Sequence, residues 1–167
     1  KELEKFVRKA TIKNSLVMVA RIRQGMRGRK LAKNMKVTTL IKGNKSPTID
    51  EGQLHNAIAR ELLDSFTAKV GVLDGQFAKI AEVIHEGATL KITPKMRAAI
   101  FGQLREKGKL NKLDPNHKSD GFMRIKPRPF LSTVFESPVV RKELNKNWQD
   151  AVEAALLAAS NGKALKK

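Results

Sequence analysis

The side chains that could perform acid–base or metal chemistry are scattered along this sequence. His55, His85 and His117 lack the spacing of a zinc site carried on a helix. His85 and Glu86 could in principle serve as a base and its orienting carboxylate, but adjacent residues on a helix point in different directions, and no serine or cysteine nucleophile accompanies them. We therefore predict that the chain is not an enzyme and holds no metal ion.

Acidic residues offer a second possible chemistry, because carboxylates can bind the magnesium ion that a nuclease needs. Asp50, Glu51 and Asp64 are the candidates, although favourable charge near the start of a helix is the simpler interpretation of this group. Gly25 and Gly28 do not form a phosphate-binding loop between a strand and a helix. No cofactor is predicted.

Positive charge is the dominant chemical feature of the chain. The net charge is +18, and its distribution is uneven: residues 1–47 carry 14 Lys and Arg against 2 acids, residues 48–90 carry 3 against 7, and residues 91–167 carry 17 against 7. Charges this dense repel one another unless a partner neutralises them. We expect an anionic partner, either nucleic acid or an acidic protein surface, with a well-solvated surface as the alternative.

The most basic segment is predicted to be an exposed arm or loop. It spans residues 21–34, where glycines and small residues separate the cations and leave little that could pack in a core. Non-specific contact with phosphates would depend on its basic side chains. These are Arg21, Arg23, Arg27, Arg29, Lys30 and Lys33.

Composition narrows the environment of the protein. There is no cysteine, which excludes disulfides and thiolate metal sites and favours synthesis in a reducing cytoplasm. The longest apolar runs are much shorter than the roughly 20 residues that span a bilayer, so no membrane partner is predicted. The sequence starts at Lys1, and nothing near it resembles a signal peptide.

The elements that would position these residues form an α+β fold in one domain over residues 1–167. Apolar residues at helical spacing predict a long first helix over residues 1–24. Further along, the patterns predict a strand at 35–42, a helix at 50–64, a strand at 66–72, a helix ending at Gly87 and a strand at 89–92. We expect one small mixed or antiparallel sheet flanked by the long N-terminal helix and a C-terminal amphipathic helix.

The C-terminal half contains clear helix-start signals. Thr93 and Pro94 have the pattern of a cap followed by a first helical residue, and Gly108 would end this helix. Residues 107–121 are rich in turn formers and predict a mobile loop, and two prolines make residues 121–131 extended. Ser137 would cap a last helix that ends before Gly162. Its apolar stripe would comprise Val140, Leu144, Trp148, Val152 and Leu156.

Three stretches of sequence, in this order, resemble one protein family. They are SPTIDEGQLHNAI at residues 46–58, AKIAEVIHEGA at residues 78–88 and IKPRPFLSTVFE at residues 125–136. Together with the amphipathic helix that follows them, they are similar to the bacteriophage tail-completion, or virion-morphogenesis, family of minor tail and neck proteins. We refer to them below as the first, second and third motif stretches.

The resemblance implies a structural protein of the virion that has no catalytic activity. It implies a small protomer that assembles in a ring or as a few copies at the head-proximal end of the tail. Its partners would be neighbouring neck, connector or tail-tube proteins, with non-specific contact with phage DNA in the channel as a further prospect. Assembly would take place in the cytoplasm of the bacterial host. The motif residues that would lie in the core or at an interface are Asp50, Gly52, Leu54, Ile58, Glu86, Gly87, Pro127, Arg128, Pro129, Phe130 and Leu131.

Two questions stay open at the level of sequence. Phe130, Leu131 and Phe135 could be buried within their own subunit, which we favour, or could insert into an adjacent one, and the flanking prolines would reduce the entropy lost in either case. The second question is the function itself, because the chain could instead be a basic nucleic-acid-binding accessory protein.

Overall fold

The computed structural model of the chain describes residues 2–27, 38–40, 53–109 and 121–164. The named elements, in chain order, are helix α1 (Glu2–Arg27), one-turn helix α2 (Gln53–Asn56), strands β1 (Ile58–Leu62) and β2 (Ala68–Val72), helix α3 (Gly75–Glu86), strand β3 (Ala88–Lys91), helix α4 (Pro94–Glu106), strand β4 (Phe122–Ile125), one-turn helix α5 (Ser132–Phe135) and helix α6 (Pro138–Ala164). The predicted α+β class is confirmed. The four strands form two separate antiparallel pairs, β1 with β2 and β3 with β4, and not the single sheet that we expected.

The two long helices, α1 and α6, pack side by side in opposite directions. Asn14 lies beside Asn147, whereas Arg21, two turns further along α1, pairs with Glu143, which precedes Asn147 in α6. The buried residues of α1 recur at spacings of three and four, as a helix must do to keep one side against a neighbour. They include Val7, Thr11, Asn14, Met18, Ile22 and Met26.

The middle of the α1–α6 interface is polar. The Asn147 Nδ2 donates a hydrogen bond to Asn14 Oδ1 at 2.7 Å, and Asn14 Nδ2 donates to the Leu144 carbonyl at 3.2 Å. Both asparagines are buried, so each amide depends on the other for a partner that water does not supply. Because these bonds form at one relative height of the helices, they specify the register of the pair.

The β1–β2 hairpin packs on another side of α1. At one end of the hairpin the Thr11 hydroxyl donates to the Ser65 carbonyl at 2.8 Å. At the other end the Arg23 guanidinium donates to the Ile58 carbonyl at 2.9 Å. The hairpin is therefore attached to α1 at two points, Thr11 and Arg23. Its strands pair from Ile58 opposite Val72 to Leu62 opposite Ala68.

The main hydrophobic cluster lies against the C-terminal half of α1. It contains residues from α1, α2, β1, α3, the segment after β4, α5 and the start of α6. Its buried members are Met18, Ile22, Met26, Leu54, Ile58, Ala81, Phe130, Val134 and Val140.

The predicted basic arm over residues 21–34 is wrong in its first part, because α1 continues to Arg27. Ile22 and Met26 are both fully buried in the core, and burying two such side chains stabilises the helix by more than the roughly 1 kcal/mol that Gly25 costs in its interior. Arg21, Arg23 and Arg27 are thus helical. The rest of the arm, with Arg29, Lys30 and Lys33, lies outside the described residues, as does most of the predicted loop at 107–121.

Two predicted elements around the first motif stretch are also wrong. The expected helix at 50–64 is in fact a single helical turn followed by β1, because pairing with β2 determines the conformation of residues 58–62. The expected strand at 35–42 is helical at residues 38–40, and its remaining residues lie outside the described part. In contrast, β2, α3, β3 and α4 are confirmed close to their predicted bounds, and the Thr93 hydroxyl accepts the Met96 N–H as the predicted cap.

The predicted apolar stripe of α6 does not follow the buried side of the helix. Val152 is 42% exposed and Leu156 is 66% exposed, whereas Asn147 and Ala155 are buried. Residues spaced strictly by four advance about 40° beyond a full turn at every step, so such a stripe winds away from a straight contact line. The helix also passes through Gly162 and ends at Ala164.

The buried asparagine pair generates a first prediction. We expect Asn147→Ala to lower the free energy of unfolding by about 1–3 kcal/mol, because it leaves the buried Asn14 Oδ1 without its donor. Urea denaturation followed by circular dichroism measures this change. Asn145→Ala is the matched control on the exposed side of α6 and should change stability by less than about 0.5 kcal/mol. Equal losses in the two variants would contradict a special role for the pair.

The hairpin loop generates a second prediction. The Asp64 carboxylate accepts the Phe66 N–H at 2.6 Å and the Thr67 N–H at 2.7 Å, and the hydrogen bond from Phe66 is the main cause of a lowered pKa for Asp64. A carboxyl whose pKa is lower in the folded state stabilises the fold above its unfolded pKa, and this contribution disappears as the pH falls through the folded pKa.

We therefore expect an NMR titration to give Asp64 a pKa below that of an aspartate in an unstructured peptide. The stability difference between the wild type and Asp64→Ala should shrink as the pH is lowered below about 4. A difference that is constant between neutral and acidic pH would show that the carboxylate charge is not involved.

Candidate functional site

The three motif stretches converge on the main hydrophobic cluster. Leu54 and Ile58 come from the first stretch, Ala81 from the second, and Phe130 and Val134 from the third. We call this convergence of Leu54, Ile58, Ala81, Phe130 and Val134 the motif junction. Residues that are far apart in the sequence thus pack in one cluster. They are held in place by α2, β1, α3, α5 and the segment after β4.

Gly87 ends α3 and allows the second and third stretches to approach closely. Its φ is +80°, a conformation that other residues adopt only with strain. A β-carbon at this position would lie 2.7 Å from the Ile125 carbonyl oxygen and 2.9 Å from the Pro127 ring. Glycine is therefore required both by the backbone conformation and by the space available.

The backbone of Arg128 closes the C-terminal end of α3. Its N–H donates to the carbonyls of Ile84 and His85, at 2.9 and 3.2 Å. These carbonyls belong to the last turn of a helix, where backbone acceptors have no partner within the helix itself. The third stretch thus caps the helix of the second stretch through its main chain.

The third stretch places three of its side chains, Arg128, Phe130 and Val134, in the interior of the chain's own fold. Phe130 is 1% exposed, and its ring makes an edge-to-face contact with His85, with centroids 5.5 Å apart. Arg128 is buried, and burial lowers the pKa of its guanidinium. Leu131 is half-buried against the core, which agrees with the core interpretation, whereas Phe135 is exposed and is available for a neighbour.

The remaining predicted residues fall into distinct groups. Glu86, Pro127 and Pro129 are exposed around the junction, and Asp50 and Gly52 lie outside the described residues. Two of the basic residues make contacts within the fold of the chain. Arg21 forms a salt bridge with Glu143 at 2.9 Å, and Arg23 binds the backbone at Ile58.

Metal-ligating side chains are scattered in the part of the chain that the structure describes. Within residues 2–27, 38–40, 53–109 and 121–164, no three His, Asp or Glu side chains are grouped so that they could hold a metal ion. The His85 ring packs against Phe130. No helix in these ranges combines the length and apolarity needed to cross a membrane.

Sequence patterns missed a group of exposed apolar side chains at one end of the molecule. The antiparallel arrangement places the end of α6 near the start of α1, and the Ser65 hydroxyl donates to Glu4 at 3.3 Å, which brings the hairpin loop to the same end. Leu3, Phe66, Leu156 and Leu157 are each more than half exposed there. We call these four residues the apolar end. Patterns of apolar residues predict burial, as they do for Leu156 in the stripe of α6. They could therefore not show that these four side chains are exposed.

Comparison with known proteins does not assign the chain to a family, since no family model, curated protein or solved structure matches it. The function is therefore inferred from the residues themselves.

The contact at Gly87 generates a third prediction. We expect Gly87→Ala to destabilise the protein by about 2–5 kcal/mol, because it combines backbone strain with a clash against Ile125 and Pro127. Gly75→Ala is the matched control at the start of the same helix, where a β-carbon meets no atom within 4 Å, and should be neutral or slightly stabilising. Thermal denaturation of both variants measures the difference. A Gly87 variant as stable as the Gly75 variant would contradict the close approach.

Proposed function

We propose that this chain is a structural virion protein that completes a phage tail or joins the tail to the head at the neck, through oligomeric interfaces and a basic surface. The observation that carries the proposal is the motif junction. The stretches that resemble the tail-completion family pack against one another and contribute hydrophobic contacts, a helix cap and a glycine-dependent crossing. Such roles suit a protein whose task is to present surfaces and not to transform a substrate.

The apolar end supports assembly into a ring or a small number of copies. Leu156 and Leu157 are 66% and 63% exposed, and Phe66 is 62% exposed. Several large apolar side chains left exposed at one end of a soluble protein are typical of an interaction site. In a ring, each copy would place such a surface against a different surface of the next copy, and the rotation between copies would close the ring.

The location that goes with this proposed function is the neck or tail of the virion. A neck protein is made in the host cytoplasm without disulfides, which is consistent with a chain that has no cysteine. The connector and tail-tube proteins are then its partners, together with further copies of the chain.

The assembly test uses the purified chain alone and mixed with tail tubes or connector proteins. We expect light scattering to detect oligomers and negative-stain microscopy to reveal rings, either free or at one end of the tubes. A chain that stays strictly monomeric and binds neither tubes nor connectors would refute the proposal.

The apolar end generates a fourth prediction. We expect the double variant Leu156→Ser/Leu157→Ser to fold normally, because both side chains are exposed. It should self-associate about 30–700-fold more weakly, because burial of each leucine at an interface contributes on the order of 1–2 kcal/mol and the two together about 2–4 kcal/mol. Sedimentation equilibrium measures the association. Ala159→Ser, on an exposed position of the same helix, is the control and should associate like the wild type.

The net charge of +18 favours one second candidate, a basic nucleic-acid-binding accessory protein. Such a protein would bind duplex DNA tightly as a monomer even near physiological salt, since its function would depend on that complex. A chain that binds duplex DNA tightly near physiological salt, stays monomeric and forms no rings would favour the second candidate.

A further inference from the structure

A dense group of cations lies in the unit formed by β3, α4 and β4. This β3–α4–β4 unit comprises residues 88–109 and 121–126 and has a single acid, Glu106. All its cations except Lys109 are exposed. They are Lys91, Lys95, Arg97, Arg105, Lys107, Lys109, Arg124 and Lys126.

One face of the β3–β4 strand pair is exposed and cationic. Lys91 pairs with Phe122 across the two strands, and Thr89 pairs with Arg124. Residues directly opposite each other in an antiparallel pair share a face, and residues two apart in a strand share it too. All four side chains on this face are exposed, and Lys126 continues the exposed basic surface just beyond β4.

Helix α4 adds a second cationic surface to the same unit. Arg97, Phe101 and Arg105 are spaced by four and therefore lie on one side of the helix, where all three are exposed. Leu104, seven residues after Arg97, is fully buried, so these three exposed side chains run along one edge of the packed side of the helix. An exposed aromatic ring between two guanidinium groups can lie against a sugar–phosphate backbone while both cations reach phosphates.

The cations of α1 are less suited to this purpose. Arg21 and Arg23 are engaged with Glu143 and with the backbone of the β1–β2 hairpin. The exposed cations at the start of α1 share their end of the molecule with Glu4 and with the hairpin loop, which carries Asp64. These carboxylates weaken the local positive potential.

The composition of the unit indicates which kind of anion it fits. Protein interfaces have centres that are depleted of lysine and rich in apolar contacts, with charges at the rim. Here the cations are spread over the exposed face of the β3–β4 strand pair and over α4, as is typical of a surface that meets the evenly spaced phosphates of a polyanion.

We propose that the β3–α4–β4 unit is the surface through which this protein contacts the backbone of duplex DNA without sequence specificity. The inference rests on the proposed function for the source of the DNA, the phage genome passing through the neck. Because the contact is electrostatic, the isolated chain binds at low salt and releases DNA as salt rises, with an affinity that is weak at physiological salt. Several copies in a ring would add their contacts around the channel.

The test compares two quadruple variants that remove the same charge. The test variant is K91Q/K95Q/R97Q/K126Q, and the control is K5Q/R8Q/K13Q/K142Q, which removes three lysines and one arginine from exposed positions of α1 and α6. Fluorescence anisotropy with a labelled DNA duplex gives affinity from about 50 to 200 mM salt, and each lost phosphate contact should flatten the slope of log K against log salt by about 0.9. Circular dichroism confirms that both variants are folded.

We expect the test variant to bind DNA at least about 10-fold more weakly at low salt with a slope lower by two or more, and the control to change affinity less than about threefold. Equal losses in both variants would overturn the proposal, because binding would then follow net charge and not this surface. Absence of binding by the wild type at low salt would also overturn it. So would equal affinity for poly-glutamate at the same charge concentration with the same sensitivity to the variants, since the unit would then accept any acidic polymer.

The outcome separates this inference from the proposed function. Rings that form without DNA binding would refute the inference alone. DNA binding that depends on the unit in a chain that never joins rings, tubes or connectors would support the inference and refute the neck assignment.

Discussion

The packing of α1 against its neighbours is the constraint on which the rest of the described structure depends. One side of this helix meets α6, another meets the β1–β2 hairpin, and its C-terminal half contacts α5 and the motif junction. The Asn14–Asn147 pair determines the height at which α6 lies, and Arg23 determines where the hairpin begins. A shift of α1 by one turn would therefore disturb all of these contacts together.

Local signals in the sequence predicted the elements whose ends are marked by specific residues. Thr93 and Pro94 define the start of α4, and Gly87 defines the end of α3, because a capping hydroxyl bonds within its own turn and a positive φ favours glycine whatever packs around it. The failures have the opposite origin. Ile22 and Met26 extend α1 because distant residues cover them, and β1 is a strand because β2 lies beside it. Asn14 and Asn147 look like surface residues until their partner is known.

The candidate site was also predictable only in part. The residues of the motif stretches were identified from the sequence. The contact between these residues could not be predicted, because Gly87 and Pro127 are separated by the whole β3–α4–β4 unit. Charge was the least predictable property. Arginines differ in use within one chain, because Arg23 and Arg128 serve the interior of the fold whereas Arg97 and Arg105 are exposed. Only packing distinguishes them.

The crossing of Gly87 and Pro127 has a consequence for how this chain could be altered in sequence. The β3–α4–β4 unit leaves the core at Gly87 and returns to it at Pro127, and these two points are in contact. A segment whose ends already touch can be lengthened at low entropic cost, since each doubling of a flexible loop costs only about 0.6 kcal/mol. The unit therefore has the anatomy of an inserted module, in which length and sequence can change while the core beneath it stays the same.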